Sequence, residues 1–199
     1  MELLKRAELH DVKKDDLQRI LKWRNQDFIR EVMLDSEIIS FEQHSQWFNS
    51  LQDNKTSITK IFHFNSIPYG VLNINHIDEI NGTCEWGVYI GSKLAPKGIG
   101  SLLGYTALQY IFCELKIRKL SAKVLGFNER SISFHKKVGF TQEGLIRECV
   151  LKGGQPIDII LFGYLKSEWE EKYKILINRI EWGMQNEYKC LGNSDWRRE

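Results

Sequence analysis

The chain is 199 residues long, 42% hydrophobic and 27% charged, with 28 Lys and Arg against 26 Asp and Glu. That length fits one domain with at most an appendage, and it buries about 70% of the unfolded surface, so folding needs no disulfide or metal. A net charge of +2 gives no field that would draw nucleic acid or an anionic membrane, and no apolar run approaches the roughly 18–20 residues of a membrane span.

The start, Met1-Glu2-Leu3-Leu4-Lys5-Arg6, has no apolar core for a secretory signal. Residues 15–23 read as a short helix with Leu17, Ile20 and Leu21 on one face, running into Arg24-Asn25 and a mixed stretch to Ser40. Ser40-Phe41-Glu42-Gln43 is a capping-box pattern. The helix it opens carries Phe41, His44, Trp47, Phe48 and Leu51 at helical spacing, with His44 at the edge of the buried face. Ile58–Asn65 and Tyr69–His76 read as a hairpin about Ser66-Ile67-Pro68, and Thr83–Ile90 as a further strand after the turn 79–82. In that strand Glu85 and Tyr89 share one face because the side-chain period is two.

Ala95-Pro96-Lys97-Gly98-Ile99-Gly100-Ser101 leads into a helix reaching about Leu115, and Leu120–Leu125 is a short apolar strand. Asn128 is a good N-cap for a helix over Glu129–Val138, with Gly139 as its stop. Residues 140–165 read as two strands about Lys152-Gly153-Gly154-Gln155. From Ser167 a Trp-rich helix runs to about Tyr188, with Trp169, Tyr173, Leu176 and Ile180 on one stripe, expected to pack on its own domain. Residues 189–199 are polar enough for a frayed tail. The four cysteines, Cys84, Cys113, Cys149 and Cys190, form no CxxC or zinc-like spacing; they read as reduced thiols of a cytoplasmic protein, with no metal site.

Lys97-Gly98-Ile99-Gly100 at a helix start is the sharpest local signal, because glycine lets backbone approach a ligand and a helix N-terminus attracts phosphate. A Walker A loop is absent, and Leu103 stands where a dinucleotide fingerprint needs its last glycine. A pyrophosphate cradle for coenzyme A and a merely tight turn into the helix both remain open.

The segment Asn128 to Phe140, with His135 seven residues after the Asn and the closing Lys137-Val138-Gly139-Phe140, resembles a hallmark of the GNAT N-acetyltransferases. The Gly98–Gly100 loop precedes it with one helix and one strand between. Over residues 3–166 the resemblance implies an α/β (α+β) GNAT fold: a mixed, mostly antiparallel sheet of about seven strands flanked by helices. Residues 1–166 would form the domain, and 167–199 a C-terminal helical extension and tail. It also implies acetyl-CoA as cosubstrate and transfer to an amine. Lys97, Gly98, Ile99, Gly100 and Ser101 would hold the pyrophosphate, Asn128 the pantetheine arm, and amides of Val88, Tyr89 and Ile90 the thioester carbonyl. Glu85 would be the base acting through water, and His135, in the place usually held by a tyrosine, the acid toward the thiolate.

Trp23-Arg24-Asn25, Ile39 to His44, Tyr69 to His76 and Gly87-Val88-Tyr89 are similar to the pseudaminic acid biosynthesis acetyltransferases. These act on the 4-amino group of UDP-4-amino-4,6-dideoxy-N-acetyl-β-L-altrosamine, on the route to a sugar that decorates flagellin. That resemblance implies Arg24 and His44 against the diphosphate, and Asn75, His76 and Tyr89 along the sugar and uridine. The partner would be a small-molecule amine, with a homodimer entertained. Two other classes stand beside this reading: a peptide Nα-acetyltransferase of the ribosomal-protein type, with Phe62, His63 and Phe64 flanking a groove, and a non-catalytic acetyl-CoA-binding module.

Overall fold

A computed structural model describes residues 3–51 and 54–190. The strands are β1 (Ala7–Asp11), β2 (Ile58–Phe64), β3 (Ile67–Asp78), β4 (Thr83–Ile90), β5 (Lys119–Leu125), β6 (Thr141–Lys152) and β7 (Gln155–Leu165). They form one sheet in the order β1-β2-β3-β4-β5-β7-β6. Every neighbouring pair is antiparallel except β4 with β5, so the mixed, mostly antiparallel seven-stranded expectation holds.

The helices are α1 (Leu17–Arg24), α2 (Asp27–Arg30), α3 (Phe41–Leu51), α4 (Ile99–Gln109), α5 (Glu129–Val138) and α6 (Lys166–Cys190). The capping box forms as read: Gln43 N–H donates to Ser40 Oγ at 3.1 Å, and Ser40 N–H to Gln43 Oε1 at 2.8 Å. Asn128 Oδ1 accepts from Ser131 N–H at 3.1 Å to cap α5, and Gly139 ends that helix in the left-handed region. The tail read over residues 189–199 lies outside the described residues from 191 on; Lys189 and Cys190 close α6.

Four local readings shift. The hairpin turn is Asn65-Ser66, both at positive φ, so Ile67 and Pro68 belong to β3. The helix after the glycine loop gives way at Tyr110 to a wider turn through Glu114. Phe41 lies outward, 53% exposed, and His44 is the buried residue of α3. Phe62 and Phe64 are core residues at 0% and 2% exposure, while His63 stacks on His10. Phe62 and Phe64 thus belong to the core and do not present a flank to a peptide.

The main core lies where α4 and α6 cover one face of the sheet, around Leu72, Leu102, Leu108, Ile111, Phe112, Leu120 and Tyr164. On the opposite face Ile20 and Trp23 of α1 pack on Ile61 and Val71. Trp23 lies against Gly91, where a Cβ would sit 2.2 Å from the indole. Gln26 Nε2 donates to the Gly91 carbonyl at 2.8 Å. The end of β4 is thereby fixed to the α1–α2 segment that bounds the acceptor side of the site.

Candidate active site

The parallel ladder between β4 and β5 spans only Thr83↔Lys119, Cys84↔Leu120 and Glu85↔Ser121. Beyond it β4 stays paired with β3 as far as Ile90, and β5 with β7 as far as Leu125. The two strands therefore diverge after Glu85. The β4 backbone from Trp86 to Ile90 has no strand on its β5 side, and such polar groups require a partner. Side chains bridge the gap underneath. Trp86 stacks on Phe134 and Phe140 and meets His135 edge-on.

A cleft of about 1180 Å³ follows the fork. At one end Gly98, Gly100 and Ser101 line it at the start of α4, with Asn128 and Ser131 of α5 alongside. The N-cap residue of α4 is Gly98, at φ +86°, a conformation natural to glycine, with no side-chain cap. Ile99 N–H donates to the Pro96 carbonyl at 3.2 Å and Ser101 N–H to the Gly98 carbonyl at 2.9 Å, so what this end offers a ligand is chiefly close backbone approach and the positive pole of the helix. Ile99 is 2% exposed and offers only backbone. Lys97 is exposed and outside the cleft wall.

The other end is polar and built on strand alternation. Asn75 pairs with Glu85 and Asn73 with Gly87 across β3 and β4. Thr59 Oγ1 donates to Asn73 Oδ1 at 3.0 Å. Glu85 Oε2 lies 2.7 Å from Lys123 Nζ on β5, an ion pair set where the strands part. Sequence reasoning missed Lys123, Asn73 and Thr59; Lys123 becomes visible only through the β4–β5 register. His76, read as a substrate contact, is exposed at φ +52° within the irregularity that breaks the β3–β4 register after Asn75. Asn73 and Asn75 line the cleft, so alternation along β3 sets His76 on the other face.

Arg24, Asn25 and Arg30 shape the wall opposite. Arg24 Nη2 donates to the Asp35 carbonyl at 2.6 Å, Arg30 Nη1 to the Ser36 carbonyl at 2.8 Å, and Asn25 Nδ2 to the Ile39 carbonyl at 2.8 Å. Lys152, at the tip of the β6–β7 hairpin, reaches the Met33 carbonyl at 2.6 Å and ties down the same loop. Arg24 Nη1 is buried without a hydrogen-bond partner. The Tyr89 phenol sits near this guanidinium, buried deeply enough to push its pKa well up.

The two histidines differ from their sequence-based roles. His135 is 6% exposed. Its Nδ1 donates to the Ser131 carbonyl at 2.8 Å, and its Nε2 accepts from Trp86 Nε1 at 3.3 Å. The ring also stacks on Phe162. Desolvation lowers its pKa, so the imidazole is neutral and both nitrogens are engaged. That arrangement joins α5 to β4 and leaves no proton for a thiolate, which corrects the acid role. His44 is 4% exposed and stacks on Trp47, with its pKa lowered chiefly by burial. Its Nε2 has no partner. A ring that burial keeps neutral brings no positive charge to a diphosphate, only one ring nitrogen as donor or acceptor.

A stability prediction follows from the same pair. Both pKa values lie below the 6.5 of a free imidazole, so the unfolded chain binds protons that the folded chain refuses. The stability these groups contribute is complete above pH 6.5 and falls as the pH drops toward the folded values. The slope is at most about 1.4 kcal/mol per pH unit per histidine. Urea unfolding at about pH 7.5 and about pH 5.5 checks this. A smaller loss in His44→Phe than in the parent is expected, and identical losses would remove His44 from the account.

A family model described as an acetyltransferase (GNAT) domain matches residues 9–161. The chain belongs to the GNAT acetyltransferases. The GNAT chain is 31% identical over 101 residues to the SPbeta prophage-derived N-acetyltransferase YokL of Bacillus subtilis, covering 51% of this chain and 57% of YokL. It thus spans little more than half the length of that relative. It is 29% identical over 143 residues to the acetyltransferase PseH of Campylobacter jejuni, covering 70% of this chain and 85% of PseH. Among solved structures, spermidine N-acetyltransferase of Vibrio cholerae in complex with CoA and spermine superposes with a TM-score of 0.78 at 20% identity, over 83% of this chain and 98% of that one. The GNAT fold read from the two motifs is therefore the fold of this chain.

Proposed function

We propose that the chain transfers the acetyl group of acetyl-CoA to the 4-amino group of a UDP-4-amino-4,6-dideoxy sugar, UDP-4-amino-4,6-dideoxy-N-acetyl-β-L-altrosamine, in pseudaminic acid biosynthesis and so in flagellin glycosylation. The observation that carries the acceptor is Arg24 Nη1, a buried guanidinium nitrogen without a partner on a residue of the cleft wall. A guanidinium offers forked donors to phosphate oxygens and is costly to bury unanswered. The likeness to PseH over 70% of the chain supports the same reading.

The residues present fit acetyl-CoA. The side-chain-free cradle at Gly98 and the open β4 edge match a pyrophosphate and an extended pantetheine arm. When bound, acetyl-CoA supplies the thioester carbon that the amine attacks and the thiolate that leaves. Amides of Val88 to Ile90 stabilise the developing oxyanion. Asn75 and His44 form hydrogen bonds with sugar hydroxyl or amide groups, and Arg24 holds the diphosphate. Glu85, kept on the fork by Lys123, takes the ammonium proton through a water. Ser131 lines the cleft in the first turn of α5, with its hydroxyl 3.3 Å from His135 Nδ1. Its hydroxyl would donate a hydrogen bond to the leaving thiolate, which takes up the second proton released by the amine.

The test is CoA thiol release from the purified chain with the UDP-amino sugar, N-terminal peptides and spermidine as acceptors. Turnover concentrated on the UDP-sugar is expected. Turnover on peptides or spermidine instead overturns the acceptor, and acetyl-CoA binding with no turnover on any amine overturns catalysis itself.

A further inference from the structure

We propose that α6 is a working part of the cofactor site, with Met184 seating the Gly98 loop in the conformation that receives the pyrophosphate. This rests on the reading of that loop as the pyrophosphate cradle.

The helix lies beyond the residues 9–161 that the family model matches. Its inward stripe is Trp169, Leu176, Ile177, Ile180 and Met184, each no more than 7% exposed. Near its start Trp169 packs on Tyr105 and Phe112, at the far end of α4 and the turn that follows it. Near its other end Met184 meets Gly98, and a Cβ at Gly98 would lie 2.9 Å from Met184 Cγ. Trp169 to Met184 spans about 22 Å at 1.5 Å per residue, and Gly98 to Phe112 about 21 Å. The two helices therefore run antiparallel with matched ends, and the late turns of α6 stand behind the first turn of α4.

The arrangement answers a weakness of the loop. Gly98 sits at φ +86°, held on its carbonyl side by the Ser101 and Leu102 amides at 2.9 and 3.1 Å. Glycine populates several backbone regions at similar energy, so packing against its α-carbon adds to those bonds in keeping it in one of them. Met184, 2% exposed, fills the space where a side chain at position 98 would go. It stands outside the cleft wall that Gly98, Gly100 and Ser101 form. Packing from behind and amides in front make it a positioning residue, one that touches no ligand itself.

The experiment compares CoA with pantetheine, which lacks the diphosphate, by calorimetry on the full chain and its Met184→Ala, Met184→Leu and Gly98→Ala variants. The expected result for Met184→Ala is a fall of about tenfold in the ratio of CoA to pantetheine affinity, roughly 1.4 kcal/mol. Met184→Leu, which refills the space, should restore the ratio to within about twofold of the parent. An unchanged ratio in Met184→Ala overturns the proposal, whether both affinities hold or both fall together. Met184→Val keeps the question open to an answer should the alanine variant fail to fold, with the same direction expected at smaller size. Gly98→Ala separates the two layers. If it leaves the ratio intact, the cradle reading fails and the role of Met184 falls with it.

Discussion

Replacing Glu85 by Gln is expected to lower kcat on the amine acceptor by about 10²–10⁴-fold, the usual worth of a positioned general base. Gln keeps the length and shape of the side chain, so the Asn75↔Glu85 and Glu85↔Ser121 pairings of the strand remain. What disappears is the carboxylate that faces Lys123 at 2.7 Å. Lys123 is left without its counter-ion, yet its side chain is 39% exposed and water can solvate it. Stopped-flow thiol release and thermal unfolding on the same preparation separate chemistry from folding. A fall in kcat with a melting temperature close to the parent's supports the base assignment. Near-parent kcat would remove Glu85 from proton transfer and leave the ion pair as a fastener of the fork.

The second large effect is expected at Arg24. Arg24→Ala removes one donor already held by the Asp35 carbonyl and one that is buried without a partner. A hydrogen bond to a charged group contributes about 1.5–3 kcal/mol, so kcat/KM for a UDP-sugar should fall tenfold to more than a hundredfold. Arg24→Lys retains the charge but loses the fork, and should recover only part of the loss. The discriminating readout is the acceptor. A loss confined to the diphosphate-bearing substrate supports a phosphate contact. An equal loss with spermidine would mean that Arg24 acts only by holding the loop through Asp35.

Much of this was legible in the chain because local signals agreed with the tertiary outcome. Asn128 and Gly139 bracket α5, the alternation of Thr83–Ile90 gives β4 its true bounds, and the Trp169, Leu176 and Ile180 stripe packs on the domain as expected. The glycine loop and the Asn128–Phe140 segment were enough to reach the GNAT fold, although β1 was not read as a strand and the count of about seven came with the resemblance. The site was less legible wherever a side chain's role depends on partners remote in sequence. Helical spacing puts His135 on a face of α5. Whether its ring meets thiolate or core is decided by Trp86 of β4 and Phe162 of β7. His44 kept its place in the cleft, but helical spacing does not announce the burial that keeps its ring neutral. His76 was misplaced because it was grouped with Asn75, its neighbour on β3, although period-two alternation sends the two to opposite faces. Lys123 sits in an apolar strand as an ordinary surface residue until parallel pairing sets that strand beside Glu85.

The divergence after Glu85 also gives the molecule a mechanical character. The sheet is two plates, β1 to β4 and β5 to β7, riveted along three residue pairs and backed by the aromatic cluster beneath. A bound arm lying in the fork closes the seam as a surrogate strand would, so occupancy contributes to cohesion between the plates as well as to chemistry. Binding of this kind stabilises the fold by about 2.7 kcal/mol at a hundredfold excess over the dissociation constant. With the arm of the donor in that seam the loaded protein would be the stiffer object, and slower amide exchange along Trp86–Ile90 with CoA bound is the expected mark of it.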